Sequence, residues 1–215
     1  MTARTVVKWP DPRLLKQTSQ VENFDDSLFD LVTDLNHTMI SSFGAGIAAP
    51  QVGFSLAVCV ISKNYVPSLQ TEDHLNNSAV VLINPKIVPK DKETFQWEES
   101  CLSVPQVVAK VKRHANISLS YQNLSGDKIE VDLTGVESAT VQHEADHLIG
   151  KLFIHRLTGL SKRVAMQKLR KQILKSKGLQ QKSGKEHSTT KLKNIKTKKS
   201  RSKRKKTFGK NKKRK

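Results

Sequence analysis

Two histidines set four residues apart constrain this chain more than any other feature. They stand in Gln142-His143-Glu144-Ala145-Asp146-His147-Leu148-Ile149-Gly150. On an α-helix, positions i and i+4 leave the same face about one turn apart. Two imidazole nitrogens so placed can meet one metal ion at roughly 2.0–2.1 Å. Glu144, beside the first histidine, has the position from which this motif's glutamate takes a proton from a metal-activated water. Thr134 and Glu137 have capping-box spacing at the start of such a helix, and Gly150 suits its end. A solvated helix face, or a pair of satisfied core histidines, would carry the same letters. Two ligands are also too few, because a catalytic site needs three protein ligands and an open position. His155 lies eight residues past His147, whereas the metzincin pattern needs a histidine six past, where Phe153 stands. The third ligand must come from elsewhere.

The rest of the chain is uneven. Its 215 residues allow one well-packed domain of roughly 150–180 residues with some left over. A hydrophobic content of 36% and a mean hydropathy of −0.49 point to a polar appendage. Residues 1–155 hold 13 Lys and Arg against 18 Asp and Glu; residues 156–175 hold 7 against 0, and residues 176–215 hold 18 against 1. The overall +19 therefore belongs to the C-terminal quarter. Two cysteines, Cys59 and Cys101, argue against a disulfide framework. No apolar run approaches 18 residues and no signal-peptide pattern opens the chain, so a soluble, cytoplasmic protein without a membrane partner is expected.

Val6 and Val7 ahead of Pro10 and Pro12 predict a strand or extended arm followed by a turn. Over residues 25–42, Leu28, Leu31, Val32, Leu35, Met39 and Ile40 recur at helical spacing, with Asp25 and Asp26 at the favourable end and His37 structural or exposed. The small residues from Gly44 to Gly53 read, by themselves, as a tight loop between helix and strand; without a Lys-Ser/Thr ending they are no phosphate loop. Apolar runs at 56–61 and 80–85 predict buried strands, with Cys59 a core residue. Shorter strands are expected at Ile87-Val88, 94–98, 107–111, 117–121 and 129–133, the last two joined by a turn at Ser125-Gly126-Asp127. Many short strands ahead of one marked helix predict an α+β domain with antiparallel sheet.

Between two of these strands lies Glu99-Ser100-Cys101-Leu102-Ser103-Val104-Pro105. A cysteine in a polar, proline-bounded turn has no packing reason to be there. Its thiolate would complete a Cys-His-His site with one open tetrahedral position. Spacing leaves this open, because 42 residues of chain set no distance.

Three stretches together resemble the peptide deformylases. That family is marked by G-x-G-φ-A-A-x-Q, E-G-C-φ-S and Q-H-E-φ-D-H segments in that order. Here they are Gly44 to Gln51, Glu99 to Ser103 and Gln142 to His147, and Pro10-Asp11-Pro12-Arg13-Leu14 is like the family's N-terminus. The resemblance covers about residues 5–170. It implies antiparallel strands wrapped around a central helix that carries the histidine pair. It also implies removal of the formyl group from N-formyl-methionyl nascent peptides. By position, Cys101, His143 and His147 would bind the metal and Glu144 would be general base and acid. Gln51 and the Leu102 backbone N–H would hydrogen-bond the formyl oxygen as it becomes an oxyanion. Gly46 and Ile47 would line the peptide groove by main-chain contacts, and Glu99 is also assigned to substrate binding. One divalent ion per chain is implied, Fe(II) by family habit. Zinc, nickel and cobalt can occupy such a site, since one thiolate and two imidazoles suit several ions. Arg113 and Asp146 could orient ligands, although Asp146 also reads as a solvated helix carboxylate. Two departures stand out. The family's glycine before the cysteine is Ser100 here, which would cost about 1 kcal/mol or more if the glycine torsion were kept. Ala145 replaces a larger apolar residue.

Past the domain, expected over 1–158, Leu160, Val164, Leu169, Ile173 and Leu174 outline an amphipathic helix over 159–175 with a basic remainder. Residues 176–215 cannot bury a core and are expected to be disordered. Such a tail fits a polyanion, with ribosomal RNA the natural partner of an enzyme that meets nascent chains. The expectation is a monomeric deformylase held near ribosomes. The alternative is a weak or inactive relative that binds ribosome or RNA. A zincin-type endopeptidase is disfavoured by the missing downstream ligand.

Overall fold

The computed structural model describes residues 3–70, 75 and 77–175. The chain divides into two units, Met1–Met166 and Gln167–Lys215. In the first, an N-terminal arm leads through a 3₁₀ turn, Pro12–Leu15, to helix α1, Asp26–Ser41. Strand β1, Gly46–Ala48, a 3₁₀ turn, Ala49–Val52, and strands β2, Val58–Ser62, and β3, Ala79–Pro89, follow. Next come β4, Thr94–Cys101, β5, Val104–His114, β6, Asn116–Gln122, and β7, Lys128–Thr134. Helices α2, Gly135–Leu148, and α3, Phe153–Arg156, complete it. A five-stranded antiparallel sheet runs β1-β2-β3-β6-β7, and β4 with β5 forms a separate hairpin.

The apolar runs are continuous because β2 and the start of β3 are covered on both faces. Alternate residues go opposite ways. Val58, Val60, Val81 and Ile83 join Leu28, Leu31, Val32, Leu35 and Met39 of α1 in one core. Cys59, Ile61, Val80 and Leu82 join Val141 and Leu148 of α2 in another. Cys59 is thus a core residue, and His37 is exposed on α1. Helix α2 touches strands of both sheets, so strands do wrap a central helix.

Three local expectations change. Residues 44–53 are not a plain loop, since they supply edge strand β1 and a 3₁₀ turn. Ile87-Val88 is no separate strand but continues β3 past an irregularity between Ile83 and Lys86. There Asn84 takes φ +51, and its side chain binds the Val21 N–H and C=O at 2.8 and 2.9 Å. The capping box does not form. Thr134 is the N-cap of α2 without a side-chain bond, and Glu137 instead accepts from the Ser68 N–H and hydroxyl at 2.7 Å each. Gly150 does end the helix, at φ +68. Val6 and Val7 belong to an extended arm, not a strand. The hairpin turn between β6 and β7 closes through the Gly126 N–H to the Asn123 C=O, 3.0 Å. Residues 159–175 are helical, and the basic tail, 176–215, lies outside the described residues.

Candidate metal centre

Helix α2 sends His143, Glu144 and His147 toward the tip of the β4–β5 hairpin, where Cys101 ends β4. The donor atoms of Cys101, His143 and His147 all lie within 4.8 Å of one another, the group among the described residues able to hold a metal ion. Cys101 Sγ is 3.4 Å from His147 Nε2. His147, Glu144 and Cys101 are buried and His143 half-buried.

The chemistry suits a divalent ion. Burial opposes the Cys101 thiolate, but the charge of His147 and hydrogen bonds from His143 and His147 outweigh it and bring the thiol down to about 5. Burial raises the Glu144 carboxyl, against the pull of both histidines. Its Oε2 is buried with no hydrogen-bond partner, and an oxygen so placed asks for a water or ligand proton. Three donors, a thiolate among them, beside an unbonded carboxylate oxygen fit zinc or a similar borderline ion with one position open.

A shell of charge steadies the ligands. Glu99 Oε2 lies 2.7 Å from His143 Nδ1, which leaves Nε2 for the ion. Arg113 holds both Glu99 oxygens, at 2.6 and 2.9 Å, and reaches Asp146 Oδ2 at 2.6 Å. Asp146 is buried, not a solvated carboxylate. Its second oxygen accepts from Arg156 Nη2 at 2.5 Å. Burial alone would raise both carboxyls, yet the arginines hold Glu99 and Asp146 below their usual range.

Opposite α2, Gln51 in the 3₁₀ turn accepts the Ala48 N–H on Oε1 at 2.8 Å. Its Nε2 is thereby aimed at Ser103 Oγ, 3.2 Å, and Cys101 Sγ, 3.5 Å. Gly46 approaches so closely that a Cβ there would sit 2.5 Å from Glu144 Oε1. Gly46, Gln51, Cys101, His143 and Glu144 line a cleft of about 590 Å³ with Trp97, Glu98, Glu99 and Leu102. Ile47, the middle residue of β1, is fully buried, so only its main chain could meet a ligand. The Glu99 carboxylate is occupied by Arg113 and His143, which leaves its main chain for the cleft.

Ser100 does not take a positive φ. It is exposed at the irregularity between Glu99 and Cys101, so no glycine torsion is strained. His155 stands outside the centre, accepting the Leu152 N–H on Nδ1 at 3.0 Å. Sequence reasoning missed Ser103, the partner of Gln51, and Arg156, the partner of Asp146. Ser103 does close the segment from Glu99 to Ser103, although nothing in that segment pointed to Gln51; Arg156 belongs to no spacing pattern that could have signalled it.

The comparisons agree with this geometry. The family model for polypeptide deformylase matches residues 3–163. The peptide deformylase of Syntrophobacter fumaroxidans is 38% identical, over 80% of this chain and 97% of its own. That of Campylobacter jejuni is 37% identical, over 81% and 95%. Among solved structures, the peptide deformylase of Legionella pneumophila superposes with a TM-score of 0.69 at 34% identity, covering 81% of this chain and 98% of that one. The Plasmodium falciparum enzyme gives 0.71 at 35%, covering 80% and 97%. With most of its length matched and its Cys-His-His centre assembled, the chain belongs to the peptide deformylase family.

Proposed function

We propose that this chain removes the formyl group from the N-terminal formyl-methionine of nascent polypeptides, with Cys101, His143 and His147 as metal ligands and Glu144 as general base and acid. The observation that carries the reading is the convergence of the three donors beside a buried Glu144 whose Oε2 has no partner, in a cleft bordered by Gly46. A divalent ion held by the three ligands would acidify a water and polarise the formyl carbonyl. Glu144 takes the proton of the attacking water and delivers it to the amine as the C–N bond breaks. The Gln51 amide and the Leu102 N–H donate to the formyl oxygen as negative charge builds on it. Gly46 and Ile47, and Glu99 through its main chain, meet the peptide backbone. Iron(II) is the leading ion, with zinc, nickel and cobalt as alternatives of the same donor preference.

The finer reading concerns the basic end. Residues 1–158 are the catalytic body of a cytoplasmic monomer, and helix 159–175 with the tail 176–215 holds it near ribosomal RNA. The support is the charge distribution, acidic in the body and almost purely basic after residue 155. No observation favours a non-catalytic relative, since Ser100, its one argument, carries no torsional strain.

The test is formate release from formyl-Met-Ala-Ser by protein loaded anaerobically with Fe(II). Glu144→Ala is expected to lose roughly 10²–10⁴-fold in kcat while still holding one ion per chain. A fully loaded parent that releases no formate would overturn the assignment.

A further inference from the structure

Only Leu102 and Ser103 separate the paired Cys101 and Val104 at the tip of the β4–β5 hairpin. Two-residue hairpin turns match the twist of their strands when they use the positive φ of types I′ and II′. Neither Leu102 nor Ser103 takes a positive φ. A turn of that kind matches the strand twist less well, and this one carries the proposed oxyanion donor.

Support comes from the N-terminal arm. The Trp9 N–H donates to the Ser103 C=O at 2.8 Å, and the Lys8 ammonium donates to the Leu102 C=O at 2.6 Å. One residue earlier, the Val7 N–H donates to the Gln51 C=O at 2.7 Å. The arm itself is anchored. Val6 is buried in the α1 core, the Arg4 N–H donates to Thr38 Oγ1 at 2.9 Å, and Arg4 pairs with Asp34 at 2.7 Å. Three consecutive residues thus grip both segments that supply donors to the oxyanion, and Gln51 ties those segments together through Ser103 Oγ.

We propose that this arm sets the oxyanion-binding geometry and that Lys8 is a positioning residue acting through the Leu102 carbonyl. With the carbonyl held by a charged donor and Ser103 by the next residue, Leu102, which lines the cleft, is fixed from its C-terminal side. Lys8 is exposed, so its replacement opens no buried cavity. The inference rests on the deformylase reading of the site.

The experiment compares the metal-loaded parent with Lys8→Met and Lys8→Arg. It measures kcat and KM on formyl-Met-Ala-Ser, thermal stability, and backbone amide exchange across residues 99–106. Lys8→Met is expected to lower kcat about tenfold, to leave KM and Tm nearly unchanged and to speed exchange in the turn. Lys8→Arg should recover most of the loss. A raised KM at unchanged kcat would mean that Lys8, which also borders the cleft, meets the peptide directly, and the proposal falls. Parent-like kinetics and exchange would also overturn it. Should the parent itself release no formate, the function reading fails, and the exchange comparison alone still decides whether Lys8 holds the turn.

Discussion

At Gly46 the demand is for space, not for torsion. Its φ is ordinary, and the atoms a Cβ would strike are Oε1, Cδ and Cγ of Glu144, at 2.5, 2.8 and 2.9 Å. Those atoms end a flexible side chain, so the clash is relieved by moving the carboxylate rather than by unfolding. Gly46→Ala should therefore cut kcat/KM by an order of 10² while Tm stays within a few degrees. Parent-like turnover in that variant would mean that strand β1 does not confine the base. Gly150 is the opposite case, since it takes φ +68 and a Cβ there would lie 2.5 Å from the Leu15 carbonyl oxygen, a backbone atom that cannot step aside. The sequence assigned Gly46 to the peptide groove and Gly150 to a helix end, but it did not show that Gly46 lies against the Glu144 carboxylate.

Helices α1 and α2 begin differently. Helix α1 has its acids at the favourable end, as expected, and Asp25 also caps it, its carboxylate accepting from the Ser27 and Leu28 N–H groups at 3.0 and 3.2 Å. The Ser27 hydroxyl, and after it the Leu28 N–H, hold the Asp25 carboxyl below its usual 3.8. A carboxyl lowered on folding contributes fully above its unfolded value, and the contribution vanishes as pH falls through the folded one. Asp25→Ala should then lower Tm by roughly 2–4 °C at pH 7, and the gap to the parent should narrow below pH 3.8. A gap that stays constant in melts from pH 7 to pH 3 would remove charge from the account. Helix α2 starts without such a cap, since Thr134 makes no side-chain bond there, and Glu137 accepts from Ser68 instead. Its active face is fixed from outside, by Arg113 of β5 and Arg156 of α3 on Asp146.

Over the whole chain, charge is segregated along the sequence. The body through residue 155 has five more acids than bases, whereas residues 176–215 hold 18 bases and one acid. A body of that sign is repelled by a polyanion, so the proposed attraction to ribosomal RNA would have to come through the basic end. Deleting residues 176–215 should weaken ribosome binding and flatten its salt dependence, each lost phosphate contact taking roughly 0.7–0.9 from the slope of log affinity against log salt. Turnover of formyl-Met-Ala-Ser should be unchanged. Equal affinity and equal slope before and after deletion would sink the ribosome reading.

What the sequence determined by itself was whatever is local or periodic. Two histidines one helical turn apart, the α1 stripe, the buried runs of β2 and β3 and the hairpin turn at Gly126 are set within a few residues, where backbone geometry alone decides. The family segments added Cys101 and Gln51, because their order along the chain is informative even when their distance is not. Only the tertiary structure decided which atoms meet across long stretches of chain. Glu99 came to His143, Arg113 and Arg156 to Asp146, Glu137 to Ser68 rather than to its own helix, and Lys8 to Leu102. For the contacts around the metal centre the physical reason is shared. A buried or half-buried polar group must find a partner, but any donor of the right kind can serve, and only packing selects the one within reach.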